Sequence, residues 1–535
     1  MHVRRTLSAA GICALALAVA LLGARPERAS ATGGTVISAG FDHTCLAASG
    51  SVSCWGANAS GRLGDGTTTD RSTPVPVVGL SAGVASVAAG LDHTCALMMA
   101  GSVKCWGQGG SGQLGDGTQT TSAIPVDVVG LADARSIAAG LDSSCAVTTA
   151  GGVRCWGLNW FGELGDGTTT LRDAPVEVLD GNGNPLTGIT AVAAGWWHTC
   201  AITEATTLTC WGLNSSNQLG NQSTEMCGNS PSPCSTAPVD VLDEGGSPLT
   251  GVVAVEAGYQ YTCAVMAIGD VMCWGVNAWG NLGDGTAVAR ARPVNVVGLE
   301  GDAVAVSTFG RTTCAVTSAG AIKCWGWNGA GQLGNGTADG DPHPVPAVVE
   351  GLGSGMAAVS PGEEHTCAVT VAGNLKCWGD NNYGQVGIGV VTLGDIMTPA
   401  DVLFASDPDD DDDGCTDAQE LGASATEGGL RNPKSFWDFF DVWTGAPPTR
   451  DKSINIADVG AVVARFGSVR GSPPTEAEAL AEALTPPVDI TSYHAGFDRS
   501  GSDPAGDVWD LLPPNGVIDI SDIGAVVAQF GHSCA

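Results

Sequence analysis

One stretch constrains this 535-residue chain more than any other: residues 90–107, GLDHTCALMMAGSVKCWG, are one copy of a unit written seven times in tandem. The copies carry Cys45 and Cys54, Cys95 and Cys105, Cys145 and Cys155, Cys200 and Cys210, Cys263 and Cys273, Cys314 and Cys324, and Cys367 and Cys377. In every copy the second cysteine opens a Cys-Trp-Gly triplet, and successive copies lie about 50 residues apart. A fixed period of that length marks an architecture in which each unit buries its apolar faces only against its neighbours.

Inside the unit, ALMM and SVKCW read as two β-strands joined by a glycine-containing turn, which sets Cys95 opposite Cys105. The first copy has one residue fewer between its cysteines, and Ser49-Gly50 supplies a two-residue turn that keeps Cys45 opposite Cys54. A loop that shortens while the pairing persists is what a cross-strand disulfide requires. Zinc is the rival reading, but a wide gap without close Cys-x-x-Cys pairs is poor zinc spacing.

Compartment decides for disulfides. Arg4 and Arg5 precede an apolar run over residues 9–22, and Ala29-Ser30-Ala31 fits a small-residue cleavage site, so residues 1–31 read as a secretory signal peptide. Its removal takes Cys13 and leaves 18 of the 19 cysteines, an even number, in an oxidising environment. No other apolar run is long enough for a transmembrane span, so the mature chain is expected to be secreted or held at the cell surface. A net charge of −33 provides no basic surface to neutralise phosphates and argues against nucleic acid as a partner.

Each repeat offers four strand-like pieces; in the second copy they are ASVAAG (85–90), HTCALMM (93–99), SVKCWGQ (102–108) and IPVDVVG (124–130). The glycine-rich GQLGDGT precedes the last of them. Four short strands per unit, seven units and no helical periodicity predict an all-β seven-bladed propeller over residues 32–405. Residues 35–40 open blade one and residues 397–404 end the last repeat, so the ring is expected to close between blades one and seven and leave no sheet edge exposed.

The recurring G-x-x-H-T-C-A-x-x-x-x-G-x-V-x-C-W-G-x-N-x-x-G-Q-L-G-x-G resembles the repeat of the regulator of chromosome condensation family over roughly residues 33–400. The resemblance implies a seven-bladed propeller. The founding eukaryotic member is a guanine nucleotide exchange factor for a nuclear GTPase; a secreted, acidic, disulfide-bearing chain departs from it in compartment and charge, and that activity is not carried over. Secreted bacterial relatives with this repeat include propellers that inhibit β-lactamases by binding them face-on, which implies protein binding as a class.

Seven copies allow equivalent positions to be compared. The residue two before the first cysteine is His43, His93, Ser143, His198, Tyr261, Thr312 and His365, a scatter that reads as polar side chains bonding locally in a strand. The Cys-Trp-Gly tryptophans read as packing between blades. Asp65, Asp116, Asp166, Asn221, Asp284 and Asn335 recur in the glycine loops and read as turn caps. A different position varies more tellingly: before the loop glycine stand Ser60, Ser111, Phe161, Ser216, Trp279, Ala330 and Tyr383, with Trp160 and Trp327 nearby. Ring symmetry places these on one circle of one face, where the aromatics either anchor a protein or sugar or cover blade junctions. Blades three and four carry longer segments at 180–188 and 243–251, read as extended hairpins. In the first of these, the Asp180-x-Asn182-x-Asn184 spacing hints at calcium, but a plain turn is the favoured reading. Blade four also inserts EMCGNSPSPC, where Cys227 and Cys234 are expected to tie off a loop.

After Phe404 the composition changes: residues 401–535 hold 24 acidic and 7 basic side chains. In DDDDDGCTDAQE, Asp409, Asp411, Asp413, Gly414, Cys415, Asp417 and Glu420 stand at loop positions one, three, five, six, seven, nine and twelve of an EF-hand pattern. Calcium requires that run of oxygen ligands, the glycine at the sharp turn and a final bidentate carboxylate. Further on, INIADVGAVVARFG (454–467) is echoed by IDISDIGAVVAQFG (518–531), and the pair resembles dockerin repeats. The resemblance implies calcium at Asp451, Asn455 and Asp458 and at Asn515, Asp519 and Asp522, with Asp498 and Ser500 as earlier ligands, and docking onto a scaffold partner. Residues 442–450 and 501–514 look like insertions, and Lys452 stands where the pattern has glycine. Cys415 and Cys534 are the cysteines left over and are read as a clasp. Residues 406–535 are therefore read as an acidic, mainly helical, calcium-binding module.

These features point to a non-enzymatic binding protein, with the propeller face for an extracellular protein or glycan and a calcium-dependent docking tail. One alternative is a propeller glycosidase or lyase, which needs carboxylates set across one site as acid, base or nucleophile; the repeats single out no such set. The other is a purely structural surface protein.

Overall fold

The computed structural model describes residues 35–228, 232–392 and 394–404, which form an all-β propeller of seven four-stranded antiparallel sheets. The signal peptide, the calcium loops and the Cys415–Cys534 clasp expected from the sequence lie outside the described residues. Each sheet takes its strands in simple chain order. Blade one is Val36–Ala39, His43–Ala48, Ser51–Gly56 and Arg71–Pro76, and blade seven is Met356–Pro361, His365–Thr370, Leu375–Gly379 and Ile396–Asp401. The first strands touch one another in a closed cycle that includes blades one and seven, so they line the central axis. The ring therefore closes without strand exchange.

Burial follows from this stacking. Second and third strands have neighbours on both faces and are buried along nearly their whole length, whereas fourth strands are half-exposed. In blade two the strands are Val84–Ala89, His93–Met98, Val103–Gly107 and Ser122–Asp127. The last begins two residues earlier than the apolar pattern predicts, because a bulge after Cys105 lets Gly107 pair with Ser122. Cys95 faces Cys105 directly, and in all seven hairpins the sulfurs are bonded with Cα atoms 4.0–4.1 Å apart. In blade one the shorter turn has φ of 49° at Ser49 and 81° at Gly50, the two positive values a type I′ hairpin demands.

The seams between blades repeat with little variation. Every Cys-Trp-Gly tryptophan is fully buried, and its indole N–H donates to a carbonyl of the preceding blade. Trp106 bonds Arg62 at 2.8 Å, Trp156 bonds Gln113 at 2.9 Å and Trp211 bonds Glu163 at 2.8 Å. At the closure Trp55 reaches Gln385 of blade seven at 2.9 Å. Losing such a side chain removes apolar burial and leaves a cavity, about 3–5 kcal/mol.

The histidine position corrects the expectation of local bonding. His43 Nε2 meets Thr94 Oγ1 at 2.9 Å, His93 meets Ser144 at 2.8 Å, His198 meets Thr262 at 2.9 Å and His365 meets Thr44 at 2.8 Å. Each partner sits in the next blade, because the second strand's side chains face the seam. Tyr261 does the same with its hydroxyl, 2.9 Å from Thr313 Oγ1. The glycine-loop acids do act as turn caps: Asp65 Oδ1 accepts the Thr67 amide at 2.9 Å, and Asp65 also pairs with Arg71 at 2.8 Å. Asp180 Oδ1 likewise accepts the amides of Asn182 at 2.8 Å and Asn184 at 2.9 Å, which makes that segment a turn.

Candidate functional site: the axial mouth of the propeller

At one end of the propeller the loop between first and second strands, here the inner loop, bends at a glycine. A Cβ on Gly40, Gly90 or Gly140 would lie 2.3–2.5 Å from the next blade's carbonyl oxygen, so only glycine lets the loops close up around the axis. The closing contact is the same, Gly362 against Gly40 at 2.5 Å. Backbone bonds run on from loop to loop, Phe41 N–H to Gly90 O at 3.3 Å and Tyr259 N–H to Gly310 O at 2.9 Å. In blade six Phe309 takes the glycine's place, and the two residues after each of the seven positions crowd one mouth. The first of each pair is Phe41, Leu91, Leu141, Trp196, Tyr259, Gly310 or Glu363, and the second is Asp42, Asp92, Asp142, Trp197, Gln260, Arg311 or Glu364.

One side of the mouth is aromatic. Phe41 and Trp196 belong to blades that are not neighbours, yet their rings lie 6.2 Å apart, so they meet across the axis. Trp196 sits edge-on to Tyr259 at 4.7 Å, Trp197 lies 5.6 Å from both, and Tyr259 is 6.3 Å from Trp279. The Arg311 guanidinium lies over three rings, 4.7 Å from Trp279, 5.4 Å from Tyr259 and 5.7 Å from Trp327, and pairs with Glu363 Oε1 at 3.1 Å. A guanidinium over ring faces is held by their quadrupoles.

Of the five aromatics singled out in the sequence, the structure brings Trp279 and Trp327 together around Arg311. Among the described residues no ring contact joins Trp160, Phe161 or Tyr383 to this cluster; Trp160 and Tyr383 are exposed. Phe161 instead borders the blade-four insertion, where Cys227 is bonded to Cys234 and its Sγ lies 3.7 Å from the Phe161 carbonyl oxygen. Phe41, Trp196, Trp197, Tyr259 and Arg311 were missed. They occupy the x-x of G-x-x-H-T-C, and comparing those two columns across the seven copies would have found them.

The other side is acidic. Burial pushes Asp42 up to about 7, a rise opposed by Arg62 and reinforced by the charges of Asp380, Glu364 and Asp92. Burial also lifts Glu363 to about 7, against Arg311 and with help from Glu364 and Asp42. Asp142 is raised to about 6 by burial and then by Asp92, although Gln113 Nε2 donates to it at 2.9 Å. Arg62 pairs with Asp92 at 2.6 Å, and Gln385 Nε2 donates to Asp380 at 2.7 Å. The structure thus gathers carboxylates that no single repeat reveals. Among the described residues no trio of His, Cys, Asp or Glu is arranged to hold a metal ion, and no helix is long and apolar enough to cross a membrane.

The chain matches the RCC1-like domain over residues 20–357 and the regulator of chromosome condensation (RCC1) repeat over residues 357–385. It is 34% identical over 377 residues to the ultraviolet-B receptor UVR8 of Arabidopsis thaliana, covering 70% of each protein. The human E3 ubiquitin-protein ligase HERC2 is 32% identical over 340 residues, which is 63% of this chain and 6% of HERC2. In fold, it aligns with Prp20p from Saccharomyces cerevisiae at a TM-score of 0.57 and 20% identity, over 72% of this chain and 91% of that one. Seven blades in simple order, each carrying the same seam tryptophan, agree with these matches, and the chain belongs to the regulator of chromosome condensation (RCC1) family.

Proposed function

We propose that this chain is a secreted or cell-surface binding protein whose axial mouth recognises a protein or glycan, with residues 406–535 as a calcium-dependent docking module. The observation that carries the reading is the aromatic cluster from Phe41 across the axis to Trp279 and Trp327, built on half-buried rings around Arg311. Half-buried aromatics beside an arginine are the residue types that concentrate binding energy at protein interfaces. Relatives support recognition as the class: Prp20p has binding properties to Gsp1p and histones, yeast RCC1 (Prp20) is bound by Kap60, and UVR8 is a receptor.

The test is capture by the full chain on an extracellular protein array and a glycan panel, repeated with Trp279→Ala and Tyr259→Ala. A ligand whose affinity falls about tenfold or more in folded variants supports the reading; full retention in both sinks it. The docking module is tested by calorimetric calcium titration of the full chain against Asp413→Asn/Glu420→Gln. Reduced calcium uptake is expected, and unchanged uptake contradicts the assignment of Asp409, Asp411, Asp413, Cys415, Asp417 and Glu420. Export is tested by fractionating producing cells: the mature chain should begin after Ala31 and lie outside the cytoplasm.

A further inference from the structure

Within the recognition surface proposed above, on which this inference rests, the geometry points to one class of partner: a protein segment carrying a basic side chain beside an apolar one. The cation enters the acidic side of the mouth, and the apolar group lies on Phe41 and Trp196. The acidic groups here outnumber the bases that reach them, and an external cation would take the place of the protons that Asp42 and Glu363 otherwise retain. Asp42, Glu363, Glu364 and Asp380 act on one another electrostatically, and the guanidiniums that reach them are Arg62 and Arg311. Both are already engaged, Arg62 with Asp92 at 2.6 Å and Arg311 with Glu363 and three rings. Among the described residues no side chain donates a hydrogen bond to the carboxylates of Asp42 or Glu364.

A second observation points the same way. Glu363 is 3% exposed, and its Oε2 has no hydrogen-bond partner. That oxygen packs over Gly310, where a Cβ would collide with it. A buried carboxylate oxygen without a partner, beside other carboxylates, either keeps a proton or gains from a cation placed nearby. The chain itself shows what such a donor looks like: Arg311 is a guanidinium received at this mouth by ring faces and a carboxylate together. An incoming lysine or arginine would meet the same combination between Asp42, Glu364 and the Phe41–Trp196 pair. A neutral sugar brings no charge to relieve the repulsion, and an acidic surface would add to it.

The test is to pan a random dodecapeptide display library on the immobilised full chain. The strongest selected peptide is then synthesised and titrated against the unaltered chain, Glu364→Gln and Asp42→Asn/Glu364→Gln. Enriched sequences should pair Lys or Arg with Trp, Phe or Leu. Affinity should fall about tenfold or more in the double variant, and should weaken as salt rises from about 50 mM to about 500 mM. The half-exposed Glu364→Gln and the salt series on the unaltered chain keep the test valid if the double variant misfolds. No enrichment, enriched peptides without basic residues, or affinity insensitive to both the acids and salt would overturn the inference. If binding then falls with Trp279→Ala but not with the acid variants, the partner class fails while the recognition surface stands. If neither set of variants weakens binding, both fail.

Discussion

The seams between blades and the mouth of the axis are built from residues a few positions apart in the same repeat, yet they follow opposite rules. At the seams every copy does the same thing: a buried tryptophan donates to the preceding blade, as Trp106 does to Arg62 and Trp378 to Gln332. At the mouth the sectors diverge: blades two and three share Leu-Asp, at 91–92 and 141–142, where blade four has Trp196 and Trp197 and blade six Gly310 and Arg311. A ring of interchangeable blades needs identical joints, because each joint transmits the stability of its neighbours. It needs no uniformity where the loops face outward, and there the copies diverge into an aromatic side and an acidic side. In this molecule repetition marks what holds the ring, and asymmetry marks what the ring presents.

The sharpest way to break that contrast is to attack a seam and look for an effect at the mouth. Trp156→Ala removes a fully buried indole and should lower unfolding free energy by about 3–5 kcal/mol, read by chemical denaturation. Ligand capture per folded molecule should remain unchanged.

A smaller effect of opposite sign is expected at Glu163. Its Oε2 accepts the Phe161 amide at 2.8 Å, the bond that Gln113 makes to Ser111 at 2.9 Å in blade two. Burial lifts Glu163 from 4.5 to about 7. The folded state therefore favours the protonated form, and its contribution is fully present below pH 4.5 and lost as pH rises through 7. Glu163→Gln supplies the same bond without the proton and should stabilise the chain by about 3 kcal/mol at pH 8. The gain should vanish near pH 4; thermal melts at both values read it, and an equal gain at both would contradict the assignment.

Cutting one hairpin clasp comes next. Cys145→Ser/Cys155→Ser opens a short loop and should cost about 2–3 kcal/mol in the same denaturation assay, again without change at the mouth. Smallest in stability is Trp279→Ala, at a half-exposed ring, which should cost about 1 kcal/mol or less. It is the one substitution of the four expected to weaken capture, and a large stability loss with unchanged capture would invert the comparison.

The seam side of this contrast was largely legible in the sequence. The Cys95–Cys105 spacing implied direct pairing across a hairpin, the invariant Trp of Cys-Trp-Gly implied packing, and the one-residue deletion at Ser49-Gly50 implied a tighter turn. Repetition supplied those signals because each depends on local geometry that every copy shares. The histidines were placed in the right strands, but their partners are one blade away, a distance that no pattern within a repeat encodes. Phe41 and Trp196 illustrate the larger gap. They stand over 150 positions apart and meet only because the ring closes. Trp279 and Trp327 stood out as bulky residues in a loop, whereas Arg311, which joins them, occupied a variable x next to a histidine-type column.

The most direct test of the account is hydrogen exchange of the full chain with and without the strongest selected peptide. The account predicts slowed exchange at residues 40–43, 195–198, 258–261, 310–312 and 362–365, the inner loops around the mouth. Slowing confined to the hairpin tips at 49–50, 99–101 and 150–152, at the opposite end of the propeller, would contradict it.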